Sequence, residues 1–249
     1  MAYINDWEYI YLDEVDSTNA EARRRAGAGH LGNALIHAAT QTAGRGRLQR
    51  SWASPKGAGI WATQLFAPRG ILAKDAGGAV FLSAVALTET LRAMTGAEVM
   101  IKWPNDLVLN GKKICGMLAE CGMNGNVCQW IVLGWGLNLT RAALPRGLVH
   151  ATAIYEETGV MLDPEAVFRE YLPRFDALRR TWESRGLVPV IDAIRPYSAT
   201  LGREVRVNGE HAFALDIAPG GELVIRRDDG TVAKVVAGDV SVRGITDYI

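Results

Sequence analysis

The pattern of apolar positions divides the chain into segments of two kinds. Short apolar or alternating runs between turn residues mark 33–41 (NALIHAATQ), 59–66 (GIWATQLF), 99–103 (VMIKW), 106–121 (DLVLNGKKICGMLAEC) and 127–139 (VCQWIVLGWGLNL) as strands. The last three are consecutive, and Asn-Gly pairs at 110–111 and 124–125 predict tight antiparallel turns. Helical signals lie elsewhere. Residues 16–29 (DSTNAEARRRAGAG) offer Asp16 or Ser17 as an N-cap, an alanine-rich body and a glycine stop. Residues 74–95 read as a long, partly buried helix, and 163–195 carry two more. After YSATLG (197–202) the texture changes to short alternating strands separated by NG, GG, DDG and GD. That is the pattern of a small antiparallel barrel. The chain thus predicts an α+β domain over residues 1–198 and a β-barrel over 199–249.

Composition changes this picture little. Lys+Arg and Asp+Glu both number 27, so no global electrostatic footprint for nucleic acid or an anionic membrane is expected. The N-terminus lacks the basic and apolar regions of a signal peptide. The longest apolar stretch, 77–94, is broken by Ser83, Thr88 and Glu89 and is too short to span a bilayer. Three cysteines suit a reducing cytoplasm, although a turn at Asn124-Gly125 would set Cys121 opposite Cys128 at a distance that admits a disulfide.

Candidate chemistry gathers in four places. Gly44 to Arg50, within TAGRGRLQRSW (42–52), packs three arginines and two glycines into seven residues. Glycines let backbone N–H groups approach a ligand closely, and Arg45, Arg47 and Arg50 supply planar forks for carboxylate or phosphate. Neighbouring guanidiniums repel by at most ~4 kcal/mol per close pair at an effective dielectric of about 20. The loop is therefore expected to be mobile when empty and to close over a polyanion, although a solvated surface loop has the same composition. In KWPND (102–106), Pro104 forces a turn that gathers Lys102, Asn105 and Asp106. This set is suited to phosphate and Mg²⁺, or to an ordinary Pro-Asn-Asp turn. GKKICG (111–116) is no P-loop, but it starts a strand with Lys113 and places Gly116 where a ligand can near the backbone. GWGLN (134–138) aligns Gly134, Gly136 and Asn138 on one strand face, leaving either a slot or room for Trp135. No histidine motif suggests a metal, and DSTN lacks the flanking glycines of a nucleophile elbow.

Taken in order, DSTN (16–19), QTAGRGRLQRSW (41–52), KWPNDL (102–107), KICG (113–116) and GWGLNL (134–139) resemble the biotin–protein ligases. The likeness runs from about Tyr11 through the C-terminal barrel, where ATAI (151–154) and GDVSVRG (238–244) are similar to family stretches. The resemblance implies a mixed, largely antiparallel sheet packed against helices, of the class II aminoacyl-tRNA synthetase type, followed by an SH3-like barrel. It implies ATP-dependent formation of biotinyl-5′-AMP and transfer of biotin to a lysine of a biotin carboxyl carrier domain, with Mg²⁺. By motif, Ser17, Thr18, Asn19 and Gln41 would bind biotin's ureido end. Gly44, Arg45, Gly46 and Arg47 would wrap the ligand, with Arg47 reaching the carboxylate and α-phosphate. Lys113 would stabilise the reacting carboxylate, while Gly116, Gly136 and Asn138 shape the pocket. Arg50, Trp52, Lys102, Asn105 and Asn138 would serve the nucleotide, and Asp106 would take Mg²⁺. Gln49 stands where the family usually has glycine, which would stiffen the second half of the loop. Few residues precede the first family element, so no DNA-binding domain is expected. A lipoate–protein ligase or a non-catalytic protein-binding relative are the competing readings, and a homodimer stays open.

Overall fold

Two hairpin-built sheets make up the protein, and a computed structural model describes residues 2–237, 242–244 and 248–249. The first sheet has eight strands. In chain order they are β1 (Ala2–Ile4), β2 (Trp7–Val15), β3 (Ala34–Gln41), β4 (Gly59–Phe66), β5 (Met100–Lys102), β6 (Asp106–Leu109), β7 (Lys112–Asn124) and β8 (Val127–Asn138). Their spatial order is β1-β2-β3-β4-β8-β7-β6-β5, and among these pairs only β2–β3 is parallel. That pair is bridged by α1 (Thr18–Gly27), as a parallel crossover requires. The central strand β4 is buried along its whole length, which explains its nearly unbroken apolar reading. The β1–β2 hairpin carries no clear sequence signal, because β1 is the sheet edge and β2 is largely half-exposed, so both tolerate mixed residues.

The two sheet faces are covered differently. On one face α2 (Ala79–Thr95), α4 (Pro164–Arg185) and α5 (Val188–Ile194) bury Leu82, Phe168, Tyr171 and Ile191 against Leu35, Ile60 and Leu133. On the other face Ala22 and Ala26 of α1 pack on Ile36, Leu65 and Val132. Adjacent residues Leu35 and Ile36 thus belong to opposite faces, as strand alternation dictates. The helix expected over 74–95 begins only at Ala79. A 3₁₀ turn over Ala73–Gly78 precedes it, because Gly77 and Gly78 weaken the first turn.

The hairpin register also differs from expectation at one point. Asn110 and Gly111 form the predicted left-handed turn, with φ of 48° and 75°. The next turn is displaced by one residue: Asn124 pairs with Val127 and Met123 with Cys128. A bulge between Gly122 and Met123 then sets Cys121 opposite Ile131 rather than Cys128, and Cys115, Cys121 and Cys128 are all free thiols.

The second sheet is antiparallel, in the order β12-β11-β10-β9-β13, from β9 (Glu204–Val207), β10 (Glu210–Ile217), β11 (Leu223–Arg227), β12 (Val232–Val235) and β13 (Val242–Gly244). Residues 238–241, part of the family-like tail, lie outside the described residues. Its apolar face (Val205, Ala212, Leu223, Ile225) joins the same core cluster as α2 and α4. Trp103 Nε1 donates to Gly221 O at 3.0 Å, and a Cβ on Gly221 would meet the Phe81 ring at 2.4 Å. The small sheet is therefore docked closely beside the β5–β6 turn, which sets up the site. Among the described residues, no helix is long and apolar enough to cross a membrane.

Candidate active site

A cavity of about 370 Å³ opens between the start of α1, the loop after β3, the facing parts of β7 and β8, and Tyr248. It is lined by Ser17, Thr18, Asn19 and Gln41 at one end, and by Lys102, Asn105 and Asp106 at the other. Arg45, Gly46, Arg47, Arg50, Trp52, Lys113, Gly116, Gly136 and Asn138 also face it. Gly44 does not. It is buried where a Cβ would meet Trp52 O at 2.4 Å, and Trp52 N donates back to Gly44 O at 2.9 Å. This glycine lets the two legs of the loop touch and forms no part of the cavity wall.

The first end is a closed polar network. Ser17 caps α1, accepting from Ala20 N, and the helix start aims Thr18 and Asn19 inward. Thr18 N and Oγ1 both donate to Gln41 Oε1, at 2.9 and 3.1 Å, and Gln41 Nε2 donates to Ser54 Oγ at 2.8 Å. Thr63 Oγ1 donates to Asn19 Oδ1 at 2.7 Å, and Asn19 Nδ2 donates to Glu120 Oε1 at 3.1 Å. Arg23 pairs with Glu120 behind it. Buried hydroxyls and amides of mixed donor and acceptor character suit a neutral, urea-like ligand end rather than an ion.

The glycines of β7 and β8 explain how side chains enter the middle. A Cβ on Gly134 would lie 1.9 Å from Asn19 Oδ1, and one on Gly136 would lie 2.4 Å from Trp52 Nε1. The Trp52 indole thus lies on a glycine floor, and its Nε1 is buried with no hydrogen-bond partner among the described residues. Gly134→Ala is expected to displace Asn19 and raise KM for the ligand bound at the polar end about tenfold, the effect of one imperfect buried hydrogen bond. Steady-state titration of the variant checks this; an unchanged KM would refute it.

The second end carries the charge. Simple alternation would place Lys113 and Gly116 on opposite faces, three residues apart. A register shift between Leu107 and Val108 pairs Lys113 with Val108 and Cys115 with Leu107, inserting Ile114 as an extra residue. The bulge turns Lys113 onto the face of Gly116, where a Cβ would sit 2.9 Å from Lys113 Nζ. Lys113 Nζ lies 2.5 Å from Asp106 Oδ1 and 5.0 Å from the Trp52 ring centre. Arg47 reaches in from the loop: its Nη1 donates to Asn105 Oδ1 at 2.8 Å and its Nη2 donates to Ala237 O of the small sheet's side. Asn105 Nδ2 donates to Met117 O at 2.8 Å. Lys102 is buried, with Nζ 3.6 Å from the Tyr248 ring centre. Arg45 and Arg50 are exposed, and the Gln49 side chain lies outside the described ones. Asn138 is buried and donates from Nδ2 to Thr152 O at 3.1 Å, holding the 150–152 segment over the cavity.

Asp106 Oδ1 is ion-paired with Lys113 without an aligned hydrogen bond, and Oδ2 accepts from the Tyr248 hydroxyl. Among the described residues no three His, Cys, Asp or Glu side chains cluster. This arrangement does not fit a cation held by the protein alone. Of the histidines, His150 lines the cavity, whereas His37 is buried among Tyr9 and Phe168 and burial pushes its pKa down to about 4. The sequence pattern already set Gly134 beside a slot, although it was not assigned to the ligand, and it gave no sign of Tyr248, which no motif marks.

Residues 11–138 match the biotin/lipoate A/B protein ligase family. The chain is 34% identical over 229 residues to the biotin–[acetyl-CoA-carboxylase] ligase of Paracoccus denitrificans, covering 88% of this chain and 94% of that one. It is 31% identical over 238 residues to the bifunctional ligase/repressor BirA of Bacillus spizizenii, covering 93% and 73%. The biotin protein ligase from Aquifex aeolicus, solved in complex with biotin and ATP, superposes with a TM-score of 0.80 at 26% identity, covering 95% and 99%.

Proposed function

From the premise that this chain belongs to the biotin/lipoate A/B protein ligase family, we propose that it is a biotin–protein ligase using ATP. The observation that carries the reading is the pairing of a neutral polar end with a cationic one across a single glycine-floored cavity. Biotin has that polarity, with a urea-like ring at one end and a carboxylate at the other. In the first half-reaction a carboxylate oxygen bonds to the α-phosphorus of ATP while the α–β bridging bond breaks and diphosphate leaves. Lys113 and Arg47 neutralise the two anions as they meet, and the buried setting strengthens both interactions. In the second, an acceptor lysine amine bonds to the acyl carbon, the bond to AMP breaks, and the amine gives up a proton.

Ser17, Thr18, Asn19 and Gln41 would take the ureido ring; Arg45, Gly46 and Gly116 would flank the ligand, with Gly134 and Gly136 beneath it. The Trp52 indole, with its unpartnered Nε1, would meet the nucleotide together with Arg50, Lys102, Asn105 and Asn138. Mg²⁺ would come and go with the nucleotide phosphates, its usual mode of binding. The acceptor would be the biotin carboxyl carrier domain of a carboxylase, and the compartment the cytoplasm. The loop over residues 42–54 would order further as the adenylate forms and shield the mixed anhydride from water. Mass spectrometry of a carrier domain incubated with this protein, biotin and MgATP should show one biotin on one lysine. Transfer of lipoate instead of biotin would overturn the substrate assignment, and no transfer of either would overturn the activity.

A further inference from the structure

Tyr248 belongs to none of the motifs that build the site, yet it touches the charged end more closely than any exposed arginine of the loop. Its ring is buried and packs with Val108 and Ala199. Three groups of the cavity converge on it. Its hydroxyl donates to Asp106 Oδ2, the Lys102 ammonium sits 3.6 Å from its ring centre, and the His150 ring stacks at 6.3 Å with an interplanar angle of 24°. The Asp106 carboxylate is therefore divided between two partners, the phenol on Oδ2 and Lys113 on Oδ1.

We propose that Tyr248 is a positioning residue for the reaction, acting through Asp106 to hold the Lys113 ammonium at the reacting carboxylate. The proposal rests on the reading of Lys113 given above. A carboxylate can rotate about its terminal bond, and that torsion is broad. With one oxygen pinned by a phenol on a buried ring, Oδ1 has one direction left, and Lys113 follows it. Lysine alone is a flexible four-carbon stem ending in a point charge with three donors. Fixing its charge before the substrates arrive is the preorganisation that electrostatic stabilisation depends on. The Lys102 ammonium against the same ring ties the phenol to the neighbouring cationic group, so one aromatic side chain orders both lysines.

The arrangement makes a separable demand on rate and on binding. The polar end of the cavity lies on α1 and β3, apart from Tyr248, so losing the hydroxyl should leave biotin capture intact and slow only the chemical step. Tyr248→Phe keeps the ring, its packing and the Lys102 contact and, among the described residues, removes the hydrogen bond to Asp106.

The test compares four full-length proteins: wild type, Tyr248→Phe, Lys113→Ala and the double variant, each with a thermal melt as a control on folding. Biotin-dependent pyrophosphate release is measured at saturating MgATP across biotin concentrations. Tyr248→Phe should lower kcat about tenfold with the KM for biotin unchanged within about twofold. In the Lys113→Ala background the same change should produce no further loss, because the group being positioned is gone. A wild-type kcat for Tyr248→Phe, a change confined to KM, or an equal loss with and without Lys113 would each overturn the proposal. If Lys113→Ala itself keeps the full rate, the reading of Lys113 fails instead, so the two failures are distinguishable.

Discussion

Lys113→Ala should lower the rate of biotin-dependent pyrophosphate release about 10³-fold, the scale seen when one preorganised stabilising donor is removed from a buried site. Two effects add. The ammonium that offsets the charge of the meeting anions disappears, and Asp106 is left buried without its ion-pair partner. A site that presented net positive charge to a carboxylate and a triphosphate would then present a negative group. The same exposure of an unpaired charge threatens stability, since breaking one side of a buried pair costs about 3–5 kcal/mol. The double variant Lys113→Ala with Asp106→Asn separates the two effects. It should melt close to wild type and remain slow, whereas recovery of the rate would show that Lys113 serves only to neutralise Asp106. A single Lys113→Ala variant with the wild-type rate would remove the assignment altogether.

Much of this site was legible in the sequence, and the parts that were not share a physical cause. Residue type and order placed Ser17, Thr18 and Asn19 at a helix start, the Gly/Arg run in a loop, and Gly134, Gly136 and Asn138 on one strand face. Those are local properties, fixed by capping, glycine content and alternation. What escaped depends on long-range register. The bulge at Ile114 reverses the face of Lys113, and no residue type at 112–116 announces it. The bulge after Gly122 likewise takes Cys121 out of register with Cys128. Gly44 looked like its neighbour Gly46, but packing against Trp52 O makes it a closure point within the loop. Tyr248 reaches Asp106 across 142 residues of chain, a juxtaposition that only the docking of the small sheet creates.

Arg47→Gly should release the adenylate about 100-fold faster than wild type while leaving its formation measurable. The loop's own hydrogen bonds, Gly46 N to Arg50 O at 2.8 Å and Trp52 N to Gly44 O at 2.9 Å, close it on itself. They do not hold it to the rest of the protein. Among the described residues Arg47 does so at two points, Asn105 on the β5–β6 turn and Ala237 beside the small sheet. Hydrogen bonds from a charged donor contribute about 1.5–3 kcal/mol each, so losing the pair, partly offset by water, corresponds to roughly two powers of ten in rate. Glycine also loosens the backbone next to Leu48, which already occupies a left-handed conformation at φ 54°. The polar end of the cavity is untouched, so biotin should still bind, and with Lys113 in place the adenylate should still form, though more slowly. The intermediate would then leave before an acceptor arrives and acylate lysines of bystander proteins in solution. Dissociation of labelled adenylate after rapid dilution measures the effect directly. Arg47→Lys, which keeps the charge but cannot span both anchors, should fall between the two, and equal off-rates for wild type and Arg47→Gly would show that the loop does not retain the intermediate through this side chain.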